Sequence, residues 1–275
     1  EQSVGMYVDG IYASRAALFQ SPFLDLERIE VLKGPQGVLF GKNSIAGALS
    51  LVSNRPTDVF DAEITGSYDV EYDSTELTGF VSGPLREGLS GRLTARTSQD
   101  ESYMHNDFHN EGVPNADTDV ARGMLLWDAT DSTAVLLKVE TGKLDEHGGN
   151  WQVFADYSEG TFPYLLENDP DYVPPTQPLT LGATIYNLAR EDGENFTYDD
   201  TTYVNNLEQL KQDADTMTLQ VTQALNEHEL TYLFGYGGYH RDQFNDPDFT
   251  APMVASATQN EDFDQYSHEL RVASP

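Results

Sequence analysis

Most of the chain alternates between apolar and polar residues with a period of two. In the stretch 62–72, Ile64, Gly66 and Tyr68 fall on one face, and Thr65 and Ser67 fall on the other. The same alternation runs through "LSGRLTARTS", "TMTLQVTQ" and "FDQYSHELRV". Because successive side chains of a β-strand point to opposite faces, this period indicates strands. The pattern predicts eight strands, at residues 62–72, 75–84, 88–99, 120–129, 133–144, 214–225, 229–241 and 263–273.

The connections between these strands alternate in length. Short turns at "GPLREG", "DATDS" and "LNEHE" are separated by "DSTE" and by three long loops, at 100–119, 145–213 and 242–262. Alternating loop lengths and strands of about ten residues are typical of an up-and-down membrane barrel, with apolar residues towards lipid and polar residues inside. A lipocalin-like barrel or sandwich with the faces reversed stays open, because the period does not reveal which face meets the core.

The first 56 residues have a different character. "VGMYVDGIY" and "RIEVLKG" are strand-like, and a short helical or turn segment near Ser44–Gly47 leads into a further strand through Leu49 and Leu51. We therefore expect a mainly β protein with two parts. Residues 1–56 form the end of a small α/β domain, and residues 57–275 form about eight antiparallel strands.

The charge changes at the same boundary. The chain has 46 acidic and 15 basic residues and a formal net charge of −31, and residues 1–56 hold five of each. The remaining 41 acids and ten bases lie in 57–275, many of them in the long loops. Such a chain repels nucleic acid. The acidic loops could attract a cationic or metal-bearing solute, or they could be general surface acidity or a site of divalent bridging to lipopolysaccharide.

The stretch "GPQGVLFGKNS" raises the question of a nucleotide-binding loop. A P-loop needs a glycine five residues before Gly41-Lys42 and a hydroxyl residue directly after the lysine, but Gln36 and Asn43 occupy these positions. We expect Gly34, Gly41 and Gly47 to serve turns or packing. No catalytic constellation is visible, and there is no cysteine. We predict that the protein is not an enzyme and needs no cofactor.

The opening segments resemble a known family. "VGMYVDGIYASR" and "LDLERIEVLKGPQGVLFGKNSIAGALSLVSNRP" resemble the C-terminal part of the plug domain of TonB-dependent outer-membrane receptors, and "SHELRVASP" resembles the eighth barrel strand of that family. The plug match is carried by Arg28, Glu30, Val31, Lys33, Gly34, Pro35, Phe40, Gly41, Ala46, Gly47, Arg55 and Pro56. Lys33 and Lys42 stand where arginine is common. The family implies a barrel of 22 strands, so we expect an internal fragment of an incomplete transmembrane β-barrel.

The resemblance implies a function. We expect a receptor that takes up a scarce solute, such as an iron–siderophore or another nutrient, across the outer membrane of a Gram-negative bacterium. The implied partners are a TonB-type energy-transducing protein, acting through a missing N-terminal segment, the outer-membrane lipid and lipopolysaccharide, and the imported solute, for which an iron complex is one candidate. The alternative is a surface-exposed β-rich binding or adhesive protein without transport.

Two sets of candidate site residues follow from the resemblance and from the loops. The resemblance implies a plug–barrel lock in which Arg28 and Lys33 pair with Glu269, although all three could simply line a wet lumen. The solute is expected between the plug and the three long loops. Trp151, Phe154 and Tyr157 are the first candidates for contact, because rigid aromatic rings give large contact area.

A further candidate is a metal site in "HNDFH". His105, Asp107 and His109 alternate, so an extended strand would place them on one face where they could hold a metal ion. The plainer alternative is that they are loop residues in water.

Overall fold

The computed structural model describes residues 4–18, 23–35, 45–106, 109–149, 201–202, 208–245 and 256–275. Strands dominate this part of the chain, and its only helical element is a 3₁₀ turn at Ala16–Leu18. Within the same residues, no helix is long and apolar enough to cross a membrane.

A small mixed sheet forms the N-terminal part, which we call the N-terminal sheet. Its strands are β1 (Val4–Val8), β2 (Ile11–Tyr12), β3 (Leu26–Lys33) and β4 (Gly47–Ser53), in the spatial order β2-β1-β4-β3. β1 runs parallel to β4, and the other pairs are antiparallel. Val8, Ala48 and Leu51 are buried. The predicted strands around Val31 and Leu51 are therefore confirmed.

Two of the three glycines that the sequence assigns to turns or packing, rather than to a P-loop, have such roles in the structure. Gly34 adopts a φ of 81° just after β3, in the left-handed region that favours glycine. A Cβ on Gly47 would lie 2.4 Å from the Leu32 carbonyl oxygen, so β3 and β4 could not pair as they do with any larger residue there. Gly41 lies outside the described residues.

Eight antiparallel strands form a second sheet, which we call the wall. In chain order they are β5 (Asp61–Tyr68), β6 (Thr75–Arg86), β7 (Leu89–Asp100), β10 (Asn115–Thr130), β11 (Thr133–His147), β13 (Gln209–Leu225), β14 (His228–Asn245) and β15 (Ala257–Ala273). Strands that are consecutive among these eight pair with each other, and β5 and β15 form the two edges of the sheet. The intervening β8 (Met104–Asn106), β9 (Glu111–Val113) and β12 (Thr201–Thr202) form a separate three-stranded sheet. The predicted number of strands and their antiparallel order are confirmed.

The two faces of the wall meet different surroundings. The polar face turns towards the N-terminal sheet, and its buried members include Arg92, Thr94, Arg122, Lys138 and Glu140. Large apolar residues are exposed on the other face, among them Ile64, Leu93, Trp127, Tyr266 and Leu270. The wall therefore has its polar side inside and its apolar side outside, which excludes the reversed arrangement.

Three wall strands extend beyond their predicted bounds at one end, whereas β5 ends at Tyr68 rather than at 72. β10 and β13 begin at Asn115 and Gln209, where the apolar pattern predicts 120 and 214, and β14 continues to Asn245 rather than 241. The added residues are mostly charged or amide side chains, such as Asp117, Lys211 and Asp242. The backbone ladder continues through them because pairing needs no apolar side chain, so the alternation marks only part of each strand.

Candidate functional site

The N-terminal sheet is held against the wall by buried ion pairs. Asp9, in the turn between β1 and β2, accepts a hydrogen bond from the Lys138 ammonium on β11. Its carboxylate also accepts from the Ser53 backbone N–H (2.8 Å) and the Ser53 hydroxyl (2.9 Å). The Lys138 side chain is 2% exposed. Burial alone raises the pKa of Asp9, but Lys138 and the Ser53 hydrogen bonds outweigh it and lower the pKa below its ordinary value.

A second ion pair joins Asp25, just before β3, to Arg92 on β7. Arg92 Nε donates to Asp25 Oδ2 at 2.7 Å, and Nη2 donates to Oδ1 at 2.5 Å. Thr94 Oγ1 donates to Oδ2 at 2.7 Å, and Asn54 Nδ2 donates to Oδ1 at 2.9 Å. Burial raises the pKa of Asp25, and these hydrogen bonds together with the Arg92 charge lower it by more.

Arg122 on β10 lies between the other two wall cations. Its Nη1 donates to the Leu24 carbonyl oxygen at 2.7 Å, and its Nε donates to Glu140 Oε2 at 2.6 Å. Arg122 faces Thr94 and Glu140 across the sheet, and Met124, two residues on, faces Arg92 and Lys138. We call Arg92, Arg122 and Lys138 the cation patch. Glu140, Asp9 and Asp25 balance its charge, and the last two come from the N-terminal part.

Further contacts seat the N-terminal part on the later strands. Gln265 Nε2 donates to the Tyr12 carbonyl oxygen at 2.7 Å, and Gln212 Nε2 donates to the Ala17 carbonyl oxygen at 2.7 Å. Leu18 packs with Ala214 and Tyr239 in a small buried cluster. Together these contacts reach from β7 to β15, so nearly the whole wall holds the N-terminal part.

Two of the predicted lock residues lie around one cavity. A cavity of about 920 Å³ between the N-terminal sheet and the later wall strands has Arg28, Glu30, Glu269 and Arg271 in its lining. Arg28 binds Glu27 (2.8 Å) and Glu30 (2.7 Å), which are neighbours in its own chain segment. Glu269 accepts two hydrogen bonds from Arg271 on its own strand, at 2.5 and 2.8 Å. The structure therefore gives Arg28 and Glu269 separate partners.

The third predicted lock residue, Lys33, is exposed at the end of β3. The ion pairs that cross from the N-terminal part to the wall have the opposite polarity to the expected one, since the N-terminal part supplies acids and the wall supplies bases. A signal for them was present in the sequence. Bases are scarce in 57–275, and Arg92, Arg122 and Lys138 all fall on the polar face of predicted strands.

The proposed metal residues do not share one extended strand. His105 lies in β8, which ends at Asn106, and His109 lies in the following turn, where its backbone N–H donates to Asn106 Oδ1 at 3.1 Å. Asp107 lies outside the described residues, as do Trp151, Phe154 and Tyr157 of the proposed solute loop. Across the described ranges, no three His, Asp or Glu side chains are grouped closely enough to hold a metal ion.

A mixed sheet seated on the polar face of an antiparallel, apolar-backed wall defines a plugged β-barrel architecture. The family described as "TonB-dependent Receptor Plug Domain" matches residues 1–48. The crystal structure of the ferric yersiniabactin uptake receptor FyuA from Yersinia pestis superimposes with a TM-score of 0.71, at 16% identity, over 99% of this chain and 37% of that one.

Two curated relatives extend the comparison at the sequence level. The pesticin receptor of Yersinia pestis is 31% identical over 105 residues, which is 38% of this chain and 15% of the relative. The ferripyoverdine receptor of Pseudomonas aeruginosa is 32% identical over 142 residues, which is 50% of this chain and 15% of the relative. The match thus covers only 15% of the length of each of these two relatives.

Residues 1–48 thus match the plug domain of TonB-dependent receptors, and the strands that follow resemble part of the barrel in a solved receptor of this kind. This family is non-enzymatic. We call the described residues up to Asn54 the plug.

Proposed function

We propose that this chain is part of a gated transporter in the outer membrane of a Gram-negative bacterium, which takes up a scarce solute. The observation that carries the proposal is the plug itself, which lies across the polar face of the wall and is attached by buried ion pairs at Asp9 and Asp25. A surface binding or adhesive protein gains nothing from closing its own interior, so the plug favours transport.

A ferric siderophore is the solute class that we favour. Names of the similar proteins support it, since one is a ferripyoverdine receptor and another a ferric yersiniabactin uptake receptor. In this proposal residues 1–56 are the end of the plug and residues 57–275 are barrel. The solute arrives between the plug and the long loops, where Trp151, Phe154 and Tyr157 remain the first candidate contacts.

The proposed partners follow from the same arrangement. A TonB-type energy-transducing protein pulls on a segment that precedes β1. The exposed apolar face, including Leu93 and Leu270, lies against outer-membrane lipid, with lipopolysaccharide around the outer ends of the strands.

A reversible disulfide between plug and wall tests the gate. A Cβ built on Gly235 lies 2.8 Å from Ile11 Cγ2, which places the two Cβ atoms within about 4.3 Å, inside the range that a disulfide needs. The chain has no cysteine, so an Ile11→Cys, Gly235→Cys pair forms the only bridge available within it. We expect oxidised cells to bind ⁵⁵Fe-labelled siderophores but not to import them, and reductant to restore import.

The two single-cysteine variants are the controls, and both should import with and without reductant. Unchanged import by the fully oxidised double variant would contradict a gate at the plug–wall junction. Binding without import in every variant, including the unmodified receptor, would favour the adhesive alternative.

A further inference from the structure

The wall contains most of a carboxylate-recognition site in its own side chains. Arg92 and Thr94 project from β7 on the same face, and Phe80 faces Thr94 from β6. The Arg92 guanidinium carbon lies 3.7 Å from the centre of the Phe80 ring. Stacking on an aromatic ring fixes the plane of a guanidinium. The wall therefore orients Arg92 without help from the plug.

The donors of this site match the shape of a carboxylate. Arg92 Nε and Nη2 each bind a different oxygen of Asp25, at 2.7 and 2.5 Å, in the two-point geometry that guanidinium and carboxylate groups share. Thr94 adds a third donor at 2.7 Å. Three of the four side-chain donors to Asp25 thus belong to the wall, and Asn54 supplies the fourth from the plug.

The site is deeply buried while the plug is seated. The side chains of Arg92 and Asp25 are 4% and 6% exposed. A buried guanidinium without an anion is costly, because its charge has lost water and gained no partner. Any movement that withdraws Asp25 leaves Arg92 in need of another carboxylate.

We propose that Arg92 and Thr94 form a carboxylate-binding site on the inner wall, which Asp25 occupies when the plug is seated and a carboxylate of the imported solute occupies when the plug moves. The second half rests on the proposed transport function. In this scheme the Asp25 carboxylate competes with a solute carboxylate for Arg92 and Thr94. A solute carboxylate that binds the vacated site stabilises the displaced plug, since it binds that state alone.

Chemical rescue by acetate tests the site itself. In the intact receptor, Asp25→Gly removes the carboxylate and keeps the left-handed backbone, since the φ of Asp25 is 47°. We expect sodium acetate to raise the melting temperature of Asp25→Gly above its value in sodium chloride at equal ionic strength. The unmodified receptor should show no difference between the two salts.

Two further variants assign the effect to the wall. The acetate effect should vanish in Asp25→Gly, Arg92→Gln, and acetate should bind several-fold more weakly in Asp25→Gly, Thr94→Val. If Asp25→Gly does not assemble, Asp25→Ala answers the same question. Equal melting temperatures in acetate and chloride for a folded Asp25 variant would overturn the site.

Uptake measurements separate the site from the transport function. Carboxylate-bearing and carboxylate-free ferric siderophores are compared in Asp25→Gly and in Asp25→Gly, Arg92→Gln. Selective loss of the carboxylate-bearing chelates in the double variant supports the proposal, and equal loss of both classes overturns its second half. Failure of the unmodified receptor to import any chelate would contradict the transport function, while the acetate result would still decide the site.

Discussion

Asp9 and Asp25 share a backbone conformation that few residues other than glycine adopt. Their φ angles are 50° and 47°, in the left-handed region that aspartate tolerates better than most residues. The two consecutive residues Ser53 and Asn54 each bind one of these acids. The end of β4 therefore connects both ion pairs, and a change at either acid is expected to disturb the seating of the plug.

We expect Asp9→Asn to weaken the seating of the plug strongly. The substitution keeps the shape of the side chain but leaves the Lys138 ammonium buried without a countercharge, which costs about 3–5 kcal/mol for a buried pair. Limited proteolysis of the plug in the intact receptor measures the effect. Arg28→Gln is the control, because its ion pairs with Glu27 and Glu30 are exposed and should be dispensable. Equal protease sensitivity of the two variants would contradict this assignment.

The seating of the plug should also depend on pH. The pKa values of Asp9 and Asp25 are both lowered from 3.8 in the folded protein. A carboxylate with a lowered pKa contributes its full stabilisation above the ordinary value and loses it as the pH falls through the lowered pKa. We expect the contribution of these two carboxylates to the melting temperature to stay constant from neutral pH to about pH 4 and then to fall. The fall should be shallower in Asp9→Asn, and an equal slope in both proteins would argue against the assignment.

At the scale of elements, β14 is shaped to receive the plug. Gly235 and Gly237 lie on its inner face beneath Ile11 and Leu18, where a Cβ on Gly235 would lie 2.7 Å from Ile11 Cδ1. These glycines fall inside an alternating strand, so the sequence predicts the strand correctly. Glycine is needed at these positions because plug side chains pack directly over them. Those side chains are more than 200 residues away in the chain, so the local sequence pattern does not reveal the requirement.

A glycine substitution on β14 tests this fit. Gly235→Ala is expected to destabilise the seated plug by about 1–3 kcal/mol, the usual cost of overpacking. Adding Ile11→Ala should recover part of that loss, which a double-mutant cycle on thermal unfolding measures. Gly123→Ala is the matched control, because the nearest atom to its Cβ would be Val139 Cγ2 at an ordinary 3.7 Å. Purely additive effects of Gly235→Ala and Ile11→Ala on the free energy of unfolding would rule out a contact between the two positions.

The sequence was informative about the strands and less informative about the contacts between the plug and the wall. The alternation of residues such as Leu219 and Gln220 is local, so the number and antiparallel order of the wall strands could be predicted from it. The pairing of Asp25 with Arg92 joins residues 67 positions apart, and it depends on how the plug is oriented inside the wall. The partners of Arg28 and Glu269 were equally hard to predict, because each binds a residue of opposite charge on its own strand.

At the scale of the whole molecule, the two faces of the wall should respond oppositely to charge. Leu219 and Gln220 are consecutive on β13, and Gln220 faces the internal cavity. We expect Leu219→Arg to cost about 2–4 kcal/mol when the receptor folds into lipid vesicles, as for a cation on the lipid face of a barrel. Gln220→Arg should be nearly neutral. Similar folding yields for the two variants would contradict the assignment of the outer face to lipid.

The parallel pairing of β1 with β4 has a mechanical consequence. Val4–Val8 lies alongside Gly47–Leu51 in the same direction, and the chain enters the wall a few residues after β4. A pull on the leading end of β1, with the trailing end of β4 anchored, slides the two strands along one another. All their ladder bonds then carry load together, whereas an antiparallel pair pulled in this way would open one bond at a time. The N-terminal sheet therefore transmits the tension without unfolding, and the load reaches the attachment at Asp9 and Ser53. We expect the plug to detach from the wall as a folded unit before its own strands separate.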